Sequence, residues 1–398
     1  MMQMKENAVP IVNRVVNLLP EIQAWRQEIH AHPELGYNQH RTSTFVADRL
    51  REFGCDEVVT GIGQTGVVGV IRGAKPGAGQ GSAVIGLRAD MDALPIEEAT
   101  GLPYASRTAG AMHACGHDGH TAMLLGAARY LAETRNFCGT TVVIFQPAEE
   151  AGAGAAAMLE DGLMERFGIR EVYGMHNLPG LPIGSFATRH GPVLGAADPI
   201  RITIEGLGGH SGNPHECINP VLVGTHLVSA LQQIVAFNVD PREMATISIC
   251  VFQAGVSGSV IPPTAELEGR IRTASQKVRE AVRVRIREIA AGVATMTGAK
   301  IKVTIEDGYP VTYNHKKETD LVIRVASEVA GEQNVSEKPI EIASEDFSFM
   351  LQVRPGSFLF CGNGSSEGLH HPAYDFNDEA IPHGVSFWIR LVETALAD

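Results

Sequence analysis

Short apolar runs, partly β-branched, punctuate the first half of the chain: AVIGL (83–87), TVVIF (141–145) and EVYGM (171–175). Runs of this length without polar alternation predict strands buried on both faces. The stretches between them have helix composition. One covers Thr121–Thr134, with Asp118 expected as its N-cap, its carboxylate accepting free backbone N–H groups. The next covers Ala153–Asp161 and is closed by Gly162. This β-α-β-α-β order predicts an α/β domain with a mixed, mostly parallel sheet and helices on both faces. Ligands in such sheets sit beyond the carboxyl ends of the strands, where RADMDALP, QPAEE and HNLPG fall. At the start of the chain, Ile11, Val15, Leu18, Leu19, Ile22 and Trp25 recur at helical spacing and predict an amphipathic helix.

The pattern changes near residue 197. IRITIE (200–205) alternates as a half-exposed strand does, Pro220–Ala236 reads as a helix, and Thr246–Phe252 and Ala265–Ile271 alternate again. A long charged helix over Gln276–Thr297 and a strand KIKVTIE (300–306) complete a β-α-β-β-α-β order, the split-βαβ (ferredoxin-like) α+β arrangement. The expected organisation is therefore a first domain built from 1–196 and 312–398, with an inserted domain at 197–311. After the insertion, a helix at Asp320–Glu332, a strand at Ser357–Phe360 and a helix at Ile381–Ala397 finish the first domain. There are no internal repeats, and GAKPGAGQGS (73–82) is too short to separate domains.

Composition narrows the class without naming a reaction. The 398 residues are 44% hydrophobic and 19% charged, long enough for two domains. A formal charge of −13 argues against nucleic acid or an anionic membrane as partner. No stretch approaches the roughly 18–20 apolar residues of a membrane span. The six cysteines, at 55, 115, 138, 217, 250 and 361, follow no disulfide or zinc-ribbon spacing, which fits a reducing compartment. The N-terminal stretch has no continuous apolar segment followed by a small-residue cleavage site, so a cytoplasmic protein is expected.

The chemistry concentrates in MHACGHDGHTAM (112–123), which packs His113, Cys115, His117, Asp118 and His120 into eight positions. Thiolate and imidazole both bind borderline-soft divalent ions, although a histidine-rich loop can equally cap a helix and bind nothing. Glu149-Glu150 ends a buried strand. The pair is either a solvated start to a helix or a metal ligand beside a free base. His176 falls at the same sheet edge, and Pro372 fixes the chain beyond His370-His371. Each signal is weak alone; three sheet-end loops and a distal histidine pair with compatible donors are strong together.

With these residues in view, the sequence resembles the di-metal amidohydrolase branch of the aminoacylase and carboxypeptidase G metallopeptidase family, which includes hippurate hydrolases, N-acyl-amino-acid amidohydrolases and auxin-conjugate hydrolases. The matching stretches are HAHPELG (30–36), GLRADMDALPI (86–96), MHACGHDGHTAMLLG (112–126), FQPAEE (145–150), MHN (175–177), GLGGHSGNPH (206–215), EGRIRT (268–273), SEDF (344–347) and LHHPAYDFND (369–378). The resemblance implies a di-zinc exopeptidase-like fold with an inserted dimerisation domain and a homodimer or higher homo-oligomer. It implies two divalent metal ions per subunit, zinc first and manganese, cobalt or nickel as alternatives.

The resemblance also assigns roles. Cys115, His117, Glu150, His176 and His370 correspond to metal ligands, with Cys115 shared. Glu149 corresponds to the general base and Asp92 to a supporting aspartate. His210 corresponds to a histidine that reaches the active site of the partner subunit. Arg270 is a candidate anchor for a substrate carboxylate, weighed equally against a strand-surface arginine. Two departures stand out: Asp90-Met91-Asp92 replaces the wider family's His-x-Asp, and Ser259 replaces an asparagine that helps hold substrate in some relatives. The implied activity is hydrolysis of N-acyl amino acids. The alternatives are a dipeptidase or carboxypeptidase of the same architecture, or a metal-binding protein without catalysis.

Overall fold

The computed structural model describes residues 12–76 and 83–397. Ile11 of the N-terminal pattern and residues 77–82 of the glycine-rich segment lie outside the described residues. The N-terminal helix, α1, runs Asn13–His30 and buries Val15, Leu18, Ile22, Trp25 and Ile29 along one stripe. A second helix, α2 (His40–Glu52), was hidden in the sequence by its polar composition.

Among the described residues the main sheet has eight strands. Its centre is β3 (Val84–Asp90), β4 (Thr140–Gln146), β5 (Glu171–Leu178) and the strand Gly356–Gly362. β3 pairs in parallel with both β4 and β5, and Gly356–Gly362 pairs in parallel with β5. On the β4 side the sheet continues through an antiparallel hairpin, β1 (Glu57–Ile62) and β2 (Gly66–Arg72). β2, β3 and β4 are apolar and buried along nearly their whole length because helices cover both faces. The central helix α3 spans His117–Thr134, buries fourteen residues and packs against α1 and the C-terminal helix Ile381–Ala395.

Two local expectations are corrected. Asp118 is not the N-cap of α3. The cap is Gly116 in the left-handed region, so the helix starts at His117 and Asp118 lies inside its first turn, buried against Arg26 and His30. His176 does not follow its strand but belongs to it: parallel pairing with Gly356–Gly362 continues to Leu178, and His176 faces Phe360 in register.

The chain forms two compact units. One holds residues up to Gly191, Tyr313–Pro339 and residues from Phe349 on; the other holds Pro192–Thr312 and Ile340–Ser348. The segment Ile340–Ser348 thus clusters with the second unit, although it follows residue 312.

The second unit is a four-stranded antiparallel sheet in the order Ala245–Ala254, Thr264–Thr273, Ala196–Glu205, Lys300–Ile305. Helices Pro220–Phe237 and Gln276–Thr297 cover one face, their Leu227, Leu231, Ile286 and Val293 meeting Ile202, Ile204 and Leu267. This is the split-βαβ order the alternating pattern predicted. Among the described residues one helix, Pro220–Phe237, is long and apolar enough to cross a membrane by length and composition; its buried side is part of this core.

Candidate metal centre

The parallel strands β3, β4 and β5 bring Asp90–Asp92, Glu149-Glu150 and His176 to one sheet edge, and the turn before α3 adds Cys115 and His117. Gly116 makes that turn possible. It takes φ +89°, and a Cβ there would stand 2.3 Å from Asn177 Nδ2 and 2.7 Å from Tyr374 Oη. Only glycine combines that conformation with that approach.

Asp92 organises two loops at once. His117 Nδ1 lies 3.2 Å from its Oδ1, and its Oδ2 accepts the backbone N–H of Glu150 at 3.0 Å. This leaves His117 Nε2 buried, 3.7 Å from Asp90 Oδ2 and 4.0 Å from Glu150 Oε1, without a hydrogen-bond partner among the described residues. A carboxylate behind an imidazole whose other nitrogen is unused is the common arrangement of a metal-ligating histidine.

His176 repeats the logic with a carbonyl. Its Nδ1 donates to the Asn177 carbonyl at 2.7 Å, so Nε2 faces Cys115 Sγ at 3.5 Å. His370 arrives from the late loop with φ +66°, its N–H bonded to the Ala114 carbonyl at 2.8 Å and its Nε2 3.3 Å from Glu150 Oε1. A non-glycine residue held at positive φ is a local strain of the kind found at functional sites. The result is two sets of three donors, Cys115–His117–His176 and Cys115–Glu150–His370, each with its atoms within 4.8 Å of one another and both sharing the sulfur. Glu149, buried, stands in a further set with His117 and Glu150.

The buried groups of the centre shift one another's hold on protons. Burial pushes the Cys115 thiol well up, and Glu150, Glu149 and Asp90 push it further. Burial opposes a proton on His117, but Asp90, Asp92 and Glu150 outweigh it and raise the group to about 10. Burial likewise opposes charge on Glu150, and His370 and His117 overcome it to hold the carboxyl below its usual range. Burial drives His176 well down, with His120 adding to the effect, which leaves its nitrogen free to donate a lone pair. One buried thiol, three imidazoles and carboxylates within reach fit divalent ions of the zinc type, and two triads joined at one sulfur fit two of them.

A fourth set, Asp90–His117–His120, also lies within 4.8 Å. His120 is nevertheless engaged at both nitrogens: Nε2 accepts the Asn177 backbone N–H at 2.9 Å, which assigns the ring hydrogen to Nδ1, 2.6 Å from Asp90 Oδ1. Asp90 in turn accepts from Arg88 at 2.7 Å. The position where the wider family carries a histidine is therefore spent on holding His120. Asn177 and Tyr374, both inside quoted motifs, were passed over because an asparagine and a tyrosine carry no ligand signature.

The remaining candidates lie in the second unit. His210 sits on a two-residue strand, exposed, with Nδ1 accepting the Gly212 N–H at 2.9 Å. Arg270 stands exposed on strand Thr264–Thr273, with no ion pair among the described residues.

Fold and centre together define a metal-dependent hydrolase of amide bonds that uses two divalent ions. Residues 86–394 match peptidase family M20/M25/M40, and the chain belongs to that family. It is 39% identical to the hippurate hydrolase of Campylobacter jejuni over 383 residues, 96% of this chain and 98% of the relative. It is 38% identical to the N-acetyl-L-cysteine deacetylase of Bacillus subtilis, covering 95% of this chain and 88% of that one. It is 40% identical to thermostable carboxypeptidase 1 of Saccharolobus solfataricus, over 91% and 92%. Among solved structures, the Bacillus subtilis YXEP protein, a dinuclear metal binding peptidase of this family, superposes with TM-score 0.84 at 33% identity over 96% of this chain and 99% of that one.

Proposed function

We propose that the enzyme cleaves N-acyl amino acids, of the hippurate or N-acetyl type, to a carboxylic acid and a free amino acid. Cys115, His117, Glu150, His176 and His370 hold the two ions, zinc by preference. The observation that carries this reading is the pair of donor triads joined at Cys115 beside the buried Glu149. Its support is the similarity to a hippurate hydrolase and an N-acetyl-L-cysteine deacetylase. When bound, such ions lower the pKa of water and polarise a carbonyl. Glu149 takes the proton of the attacking water and returns it to the leaving nitrogen. Asp92 keeps His117 and the Glu150 backbone oriented.

His210 serves as an oxyanion donor from the partner subunit of a homodimer. Its Nδ1 accepts from Gly212, so its hydrogen resides on Nε2, a donor available to a carbonyl oxygen. A dimer face is offered by Leu222 and Phe237 of the helix Pro220–Phe237, exposed although apolar, and by Phe252 on the edge strand Ala245–Ala254. Arg270 anchors the substrate carboxylate. The cytoplasm suits the chain, since every cysteine among the described residues is a free thiol.

The test is turnover on benzoyl-glycine, N-acetyl amino acids, carboxyl-terminal peptide substrates and free dipeptides with zinc, manganese, cobalt and nickel in turn. Preference for the acyl amino acids is expected. Preference for peptides would favour the carboxypeptidase reading that the Saccharolobus relative suggests, and no turnover with any metal would leave a binding protein. For His210, mixing inactive Glu149→Ala and His210→Ala chains is expected to restore partial activity. No recovery after proven subunit exchange would return His210 to its own subunit.

A further inference from the structure

We propose that Asn177 is the positioning residue that sets the distance between Cys115 and His176, the first and last ligands in sequence of one donor triad. The inference rests on the ligand reading above but concerns a residue that touches neither ion nor substrate. Asn177 follows His176 on β5 and is fully buried. Each of its hydrogen-bonding groups is used. Its carbonyl accepts His176 Nδ1–H at 2.7 Å, and its N–H donates to His120 Nε2 at 2.9 Å. Its side-chain Nδ2 donates to the Cys115 carbonyl at 2.6 Å, and its Oδ1 accepts the Tyr374 hydroxyl at 2.7 Å.

The backbone of Asn177 therefore aims His176, and its side chain fixes the peptide from which the Cys115 sulfur projects. Cys115 and His176 lie 61 positions apart in the chain, and one residue references both. His120, locked to Asp90 at 2.6 Å, pins Asn177 to α3. Tyr374 ties it to the loop that carries His370. This gives the two helix histidines of the imidazole-rich segment separate roles: His117 is presented to an ion, while His120 holds the frame. It also explains Gly116, since the amide of Asn177 needs the space a Cβ would take.

Few side chains could replace Asn177. Aspartate keeps the shape and the Tyr374 bond but sets an oxygen and a negative charge against the Cys115 carbonyl. Glutamine adds a methylene where there is no room.

The experiment titrates Co²⁺ into metal-free, full-length wild type, Asn177→Asp and Tyr374→Phe. Affinity and the thiolate-to-cobalt charge-transfer absorption are read together, with circular dichroism as the check on folding. Wild type is expected to give the thiolate band. Asn177→Asp is expected to bind Co²⁺ about 10- to 100-fold more weakly, the usual cost of a lost outer partner, with a diminished thiolate band. Tyr374→Phe removes a single bond, with an expected loss of about 3-fold. Turnover of the loaded variants is expected to fall in kcat with KM little changed. Folded variants with wild-type affinity and band would overturn the proposal. Should Asn177→Asp not fold, an unchanged Tyr374→Phe overturns it alone. A wild type that binds Co²⁺ without any thiolate band would overturn the ligand reading, and the proposal with it.

Discussion

His117 and Asp118 are neighbours in the first turn of α3, yet they belong to clusters of opposite character. Asp118 meets Arg26 Nε at 2.7 Å and His30 Nδ1 at 2.8 Å, and Arg26 also meets Asp375 and lies 3.6 Å from Asp378. There each charge has an opposite charge at contact, and the cluster ties α1, α3 and the C-terminal loop together. Around His117 the balance is different: a thiol, imidazoles and a carboxylate converge as two triads of ligand atoms, and His117 Nε2 has no hydrogen-bond partner among the described residues. The closed cluster is held by ion pairs within the chain, whereas the open one gathers ligand atoms that suit a divalent ion. Both are buried and both are rich in histidine and carboxylate. What separates a metal centre from a structural ion network here is the convergence of a thiol and imidazoles on a shared point in place of guanidinium–carboxylate pairs.

The comparison is sharpest if variants in the open cluster abolish turnover without unfolding the protein, while variants in the closed one do the reverse. The largest effect is expected at Glu149. Glu149→Gln removes the proton acceptor and should lower kcat by about 10²- to 10⁴-fold, with thermal stability and bound metal unchanged. Near-wild-type turnover would take Glu149 out of the chemistry. Cys115→Ala should reduce the metal content found by elemental analysis, because both triads lose their common atom. Full occupancy would break the two-triad reading.

In the closed cluster, Arg26→Met leaves Asp118 buried beside His30 alone. The expected loss is about 3–5 kcal/mol in urea unfolding, the typical cost of stranding a buried charge, with kcat per folded molecule near wild type. A loss under about 1 kcal/mol would mean that the cluster is not a structural device.

The sequence made much of this legible, for identifiable reasons. β3, β4 and β5 were visible because both their faces are covered, which leaves uninterrupted apolar runs. The second unit was visible because one face of its sheet is open and its strands alternate. The hairpin β1–β2 was missed because Gly61, Gly63, Gly66 and Gly69 interrupt its apolar run. The donors of the open cluster could be read from residue type and motif. The closed cluster could not, because its partners are remote: Arg26 and Asp118 are 92 positions apart, and Arg26 and Asp375 are 349. Asp118 was read as a helix cap for the same reason. Its type suits a cap, and only the fold shows that a glycine has taken that place and freed the carboxylate for Arg26. Asn177 and Tyr374 stayed silent because positioning a backbone carbonyl leaves no mark in a motif.

The closed cluster also predicts a pH dependence that the open one need not share. Burial opposes a proton on His30, but Asp118 and Glu98 outweigh it and raise the group to about 9. In the unfolded chain it titrates near 6.5. The folded protein thus binds the proton more tightly, and the stabilisation is complete below about pH 6.5 and fades as pH rises through 9. The full span corresponds to roughly 3–4 kcal/mol, of which about 2–3 kcal/mol falls between pH 7 and pH 10. Urea unfolding of wild type and His30→Gln at pH 7 and pH 10 isolates it, since other alkaline titrations act on both proteins. Wild type is expected to lose about 2–3 kcal/mol more than the variant between the two pH values. Equal losses would mean that His30 is not held as a cation by Asp118, and the closed cluster would then owe its stability to Arg26 alone.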